Sequence, residues 1–119
     1  MTVETESPRG YFLVFSHETG EVIIEEAPSQ QDMLKWLQTK VGGYIEIVGC
    51  PESDLCIIGN ENGQLLQLPI NPRVLCYFGT VVVVASRRNR FVGMPLLRAL
   101  LIKSAMDELQ RERLMREIV

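Results

Sequence analysis

Thr80-Val81-Val82-Val83-Val84-Ala85 is an unbroken run of β-branched and small apolar residues. A strand with one wet face alternates apolar and polar side chains. A run without alternation is a strand covered on both faces. This stretch therefore predicts the centre of a sheet, with further layers on either side. Upstream, Tyr11-Phe12-Leu13-Val14-Phe15 and Glu21-Val22-Ile23-Ile24-Glu25 read as two more strands. Ser16 to Gly20 joins them, most simply as a hairpin with Gly20 forming the turn.

Pro28-Ser29 opens a helix, with Ser29 as N-cap and Asp32 three residues on in a near capping box. Met33, Leu34, Leu37 and Val41 recur at helical spacing, with Trp36 beside them. Gly42-Gly43 stops the helix, because glycine takes the left-handed conformation without a Cβ clash. Tyr44–Val48 and Leu55–Ile58 are strands linked through Pro51. Asn60-Glu61-Asn62-Gly63 is the sharpest turn signal, since Asn-Gly tolerates positive φ, and Gln64–Leu68 is expected to return from it as a short strand. After the central run, Arg87-Arg88-Asn89-Arg90 reads as a basic loop. A long helix then starts at Pro95 and covers residues 95–117.

The predicted order is β-β-α-β-β-β-β-α. It gives an α+β fold with a mixed, mainly antiparallel sheet of about six strands, one short helix and one long C-terminal helix. Residues 1–10 read as a flexible acidic leader and residues 11–119 as a single domain. A chain of 119 residues, 46% hydrophobic, can bury a core without help from disulfides or metal.

The net charge of -3 is unevenly spread: -7 over residues 1–60, zero over 61–85 and +4 over 86–119. One short basic patch on an acidic chain argues against a nucleic-acid partner. It suits head-to-tail self-association, or an anionic ligand near the C-terminal third. No apolar run approaches the roughly 18 residues that span a bilayer, so no membrane partner is expected. The first ten residues also lack the apolar core of a signal peptide. Cys50, Cys56 and Cys76 form no CxxC pair, and their odd number points to reduced thiols and a cytoplasmic setting. Cys56, in an apolar strand, reads as an inert core residue. One histidine and three scattered cysteines give no zinc site, and nothing calls for a cofactor.

The candidate site residues each carry two readings. Gly42-Gly43-Tyr44 can present a stacking surface, or be only a helix stop before a strand. Asn60 and Asn71 can read the polar edge of a ligand, or bond local backbone as asparagines in turns do. Arg87, Arg88 and Arg90 supply three guanidiniums able to hold phosphate or carboxylate, with Phe91, Gly93 and a helix N-terminus close behind. Their alternative is a solvated basic loop. His17, the sole histidine, has no GxSxG partner motif and supports no Ser-His-Asp arrangement. In the last helix, Leu96 to Ile102 is apolar on nearly all sides. Such a helix needs cover on several sides, so Leu97, Leu100, Leu101 and Met106 are expected to mediate homo-oligomerisation.

Four segments in sequence resemble one family. They are Val41-Gly42-Gly43-Tyr44-Ile45-Glu46, Asn60-Glu61-Asn62-Gly63-Gln64-Leu65, Leu68-Pro69-Ile70-Asn71-Pro72-Arg73 and Gly79-Thr80-Val81-Val82-Val83-Val84. Together they resemble the family known as domain of unknown function 3846, over residues 28–86, with the last helix outside. Pro72 separates Asn71 from Arg73, where the family more often has the two adjacent. Arg73 enters the candidate site through this resemblance. Family members are typically small proteins of bacteriophages and mobile elements. The resemblance thus implies a small binder acting on a host signal or a host protein. The expectation is a non-enzymatic protein that sequesters a small anionic ligand, such as a cyclic nucleotide immune signal, to blunt host defence. Tyr44 would stack on it, Asn60 and Asn71 would read it, and Arg73, Arg87, Arg88 and Arg90 would hold its charge. The rival expectation is an inhibitor that docks on a host factor through its helix or an edge strand.

Overall fold

The computed structural model describes residues 7–73 and 77–118. The elements are β1 (Tyr11–Phe15), β2 (Val22–Glu26), α1 (Met33–Val41), β3 (Ile45–Glu52), β4 (Leu55–Asn60), β5 (Val81–Arg87), β6 (Arg90–Val92) and α2 (Leu96–Ile118). The sheet order is β2-β1-β5-β4-β3, with β6 paired to the end of β5. Every strand pair among the described residues is antiparallel. The fold is α+β, with six strands and two helices among the described residues.

The unbroken apolar run forms the central strand because both of its faces are buried. Val82 and Val84 join Phe12, Val14 and Ile58 in a core capped by Met33, Leu37 and Val41 of α1. Val81, Val83 and Ala85 join Leu13, Phe15 and Val22 in a second core capped by Ala99 of α2. Successive side chains of a strand point to opposite faces, so one run serves two cores, and the two helices lie on opposite sides of the sheet. Each buried valine contributes about 1.5–3 kcal/mol relative to exposure. Among the described residues, no helix is long and apolar enough to cross a membrane.

Three local expectations differ from the structure. First, Ser29 does not cap α1. Its hydroxyl bonds the Asp32 carboxylate and accepts from the Asp32 N–H, closing a turn, and α1 begins four residues later. At the other end Gly42 takes φ 80° and its N–H reaches the Gln38 carbonyl, as expected of a helix stop. Second, Gln64–Leu68 is not a strand. The Asn60 amide oxygen accepts from the Asn62 N–H, and the chain coils into a turn closed by Leu68 N–H on the Gly63 carbonyl. Gln67, at φ 57°, ends that turn in the left-handed region, and Leu65 and Leu66 are left exposed. Third, the sixth strand arises in the basic segment, where Arg90–Val92 pairs back on β5. Residues 1–6 of the expected leader lie outside the described residues. Ser7 to Gly10 are tied in: the Ser7 N–H donates to the Tyr11 hydroxyl and the Ala27 N–H to the Gly10 carbonyl.

Two ion clusters tie α2 to the rest of the fold. Arg98 holds Asp54 at 2.7 Å and Glu52 at 2.8 Å, on the β3–β4 turn. Asp107 binds Arg73 at 2.9 Å and Lys103 at 3.0 Å. The Arg98 hydrogen bond holds the Asp54 carboxyl below the usual carboxylate range. Lys103 and then Arg73 do the same for Asp107. A carboxyl lowered in the folded state adds stability above its unfolded value, near pH 4, and loses it as pH falls through the folded value. The melting temperature should therefore drop more steeply below about pH 4 in the parent than in Arg98→Ala. Equal acid slopes in the two proteins would show that the Arg98 cluster adds nothing.

Candidate functional site

The basic segment is a tight hairpin. Arg87 pairs with Arg90, and Arg88 and Asn89 between them take φ 52° and 63°. Positive φ at both central positions is the signature of a two-residue type I′ turn, whose twist matches that of the strands. Directly opposed residues share a face, so Arg87 and Arg90 stand side by side on one face of the sheet. Arg87, Arg88 and Arg90 are all exposed. Among the described residues, no carboxylate lies within ion-pair distance of any of them. Like charges directly opposed in a ladder are destabilising, and no ion pair among the described residues offsets them.

Beside this hairpin lies a groove of about 640 Å³. Among the described residues, its charged lining residues are Arg87 and Arg9, with no acidic one beside them. Arg9 has one distant partner, Glu26 at 3.8 Å, with both side chains more than half exposed. Ser29, Gln30 and Pro95 complete the wall, so the chain entering α1 and the start of α2 both border the groove. The Gln30 amide donates to the Phe91 carbonyl at 2.7 Å and fixes that wall to β6. Gly10 and Gly93 form part of the lining, where two backbones pass too closely for any side chain. Arg9 was not legible as a site residue. It is 78 positions from Arg87, and only the sheet brings the two together.

The remaining candidate residues lie elsewhere. Register places Asn60, Gly79 and Phe15 around the start of β5, while Arg87 is at its end. At about 3.3 Å per residue, β5 separates the two groups by about 20 Å. Tyr44, 68% exposed, follows α1 at the far end of the sheet. Asn60 is buried. Its amide nitrogen donates to the Val41 carbonyl at 3.1 Å and its oxygen accepts from the Asn62 N–H. Asn71 is fully buried and donates to the Phe15 and Gly79 carbonyls, each at 2.8 Å. Arg73 is a clamp: Nε donates to the Gly20 carbonyl at 2.6 Å and Nη1 to Asp107. Within one chain, then, Tyr44, Asn60, Asn71 and Arg73 do not join Arg87, Arg88 and Arg90 around a common ligand. The two asparagines and Arg73 spend their polar groups on the fold.

A second cavity, of about 170 Å³, does lie at that far end. Glu46 and Glu61 are its charged lining residues, so it does not suit an anion. His17 is engaged too: its ring Nδ1 sits 2.8 Å from the Thr80 hydroxyl. Among the described residues no three His, Cys, Asp or Glu side chains gather as a metal site would need.

Of the four residues expected to mediate self-association, Leu97, Leu100 and Leu101 are exposed. Met106 is different and packs on the core beneath α2. The helix rotates about 100° per residue, which puts Ala99, Ile102 and Met106 on one face and the three leucines on the other.

No curated protein and no solved structure matches this chain. The family model for domain of unknown function 3846 matches residues 12–105, which takes in the described strands from the second residue of β1 onward and the first turns of α2, as well as the motifs around the central strand. The chain belongs to that family.

Proposed function

We propose that this chain is a non-enzymatic binding protein for a small polyanion of nucleotide type, held at the β5–β6 hairpin. The observation that carries this reading is the Arg87–Arg90 pair, opposed on a rigid turn with no counter-ion among the described residues. Two guanidiniums at one ladder position can take two oxygens of one phosphate, or one from each of two. Arg9 and Arg87 line the adjoining groove, which has the volume of a small-molecule site. The start of α2 adds partial positive charge there. Tyr44, Asn60, Asn71 and Arg73 have no part in this reading. Blunting a host signal by sequestration is the role that suits such a binder in a phage setting.

The exposed Leu97, Leu100 and Leu101 support a second reading, in which α2 docks on another protein. A second copy of this chain and a host factor are both candidate partners, and self-association is compatible with ligand binding at the hairpin.

The test is melting temperature against cyclic dinucleotides, cyclic trinucleotides, linear nucleotides and cyclic ADP-ribose isomers. Ligand at about 100 times its dissociation constant should stabilise the fold by about 2.7 kcal/mol, a shift of several degrees. Arg87→Ala combined with Arg90→Ala should abolish the shift. The unliganded melting temperature should stay at or slightly above that of the parent, because the opposed like charges are gone, and the mass in solution should stay as in the parent. A shift that survives the double substitution would overturn the hairpin site. A flat panel with the parent protein would favour the docking reading and send the protein to pull-downs from host lysate.

A further inference from the structure

We infer that Cys50 and Cys56 form a reversible dithiol–disulfide pair across β3 and β4, a thiol-modification site open to small disulfides. The register carries the argument. Gly49 pairs with Ile57 and Glu52 with Leu55, so between these two pairs Cys50 and Pro51 together face Cys56. Their faces agree. Cys56 belongs to the core beneath α1, with Ile58 and Val84. A side chain on Gly49 would strike the Tyr77 hydroxyl and Ile57, which lie on the other face, so Cys50 turns back toward Cys56. Directly opposed residues of an antiparallel pair have Cα atoms about 4.5–5.5 Å apart. A disulfide needs about 4.4–6.8 Å, so the strands need not part to form one.

Burial, with the neighbouring Cys50, pushes the Cys56 thiol up. The two differ in access: Cys50 is exposed and Cys56 buried. That asymmetry orders the chemistry. The Cys50 thiolate attacks one sulfur of a low-molecular-weight disulfide, forming a mixed disulfide and expelling one thiolate. The Cys56 thiolate, its proton given up to solvent, then attacks the Cys50 sulfur and expels the second thiolate. One disulfide is consumed and one is made. The two protein protons are balanced by the two thiols released. An irregularity in the strand pairing between Gly49 and Glu52 gives this end of the hairpin room to adjust the sulfur geometry.

The experiment uses the full chain and glutathione disulfide, with acid quench, maleimide labelling of the denatured protein and tryptic mapping. Cys50 and Cys56 fall in one tryptic peptide, residues 41–73, and Cys76 in the next, residues 74–87. The expected product is peptide 41–73 unlabelled and lighter by two hydrogens, with peptide 74–87 carrying the label. Dithiothreitol should restore both labels on peptide 41–73. Cys56→Ser should stop at a glutathione adduct on Cys50. The pair is refuted if the parent protein also stops at that adduct, if both cysteines of peptide 41–73 stay labelled, or if Cys76 takes the place of either.

Discussion

Gly93→Ala is expected to lower the urea midpoint by about 2 M. The Cβ of that alanine would lie 2.6 Å from the Gly10 carbonyl carbon and 2.7 Å from the Tyr11 nitrogen, and would also strike the Arg9 carbonyl oxygen. All three are backbone atoms, so no side chain can swing away. The backbones must separate instead. Between them lie the bonds from Tyr11 N–H to the Met94 carbonyl, 2.8 Å, and from Met94 N–H to the Tyr11 carbonyl, 2.9 Å. Losing two such bonds while displacing packed chain costs about 3–5 kcal/mol. That is a large part of the 5–15 kcal/mol of a typical domain. The same contact forms part of the groove wall, so the variant should also lose any ligand-induced shift. A midpoint within about 0.5 M of the parent would show that β1 and the start of α2 can part at little cost.

Asn71→Ala should lower the melting temperature by about 10 °C without touching ligand binding at the hairpin. The Asn71 side chain is fully buried. Its amide nitrogen satisfies the Phe15 and Gly79 carbonyls, and its oxygen accepts from the Arg73 N–H at 3.0 Å. Truncation leaves buried backbone groups without partners, at about 1–3 kcal/mol in all after local relaxation. The Arg73 clamp on Gly20 and Asp107 is weakened with it. A change below about 2 °C would mean that water replaces the amide. Loss of the ligand shift at unchanged stability would return Asn71 to the binding site.

The two variants separate what can be read locally from what cannot. The run Thr80–Ala85 announced a strand buried on both faces, and Val81 to Ala85 are indeed divided between two cores. Gly42 announced the end of α1 and takes φ 80° there. These signals are local: periodicity, branching and glycine conformation act within a few residues. Gln64–Leu68 misled because a leucine-rich segment after an Asn-Gly turn is compatible with a returning strand, while the Asn60 amide, already bound to Val41, bends the chain after Asn62 into a turn instead. The basic segment could be seen as charged and exposed, yet its pairing as a strand depended on β5 having a free ladder position beside Ala85 to Arg87.

The residues of the candidate site divide along the same line. Composition and chain order alone determined an α+β domain around one doubly covered strand, with its free positive charge gathered after that strand. Only the tertiary structure decided that Asn71 serves a carbonyl 56 positions away. It alone brought Arg9 to the groove of Arg87, set Cys50 against Cys56, and put Tyr44 and Arg87 at opposite ends of the sheet. The physical reason is reach. Backbone propensity is settled by neighbours in the chain, whereas a side chain's partner is settled by strand register and topology, which the whole set of buried contacts must choose together.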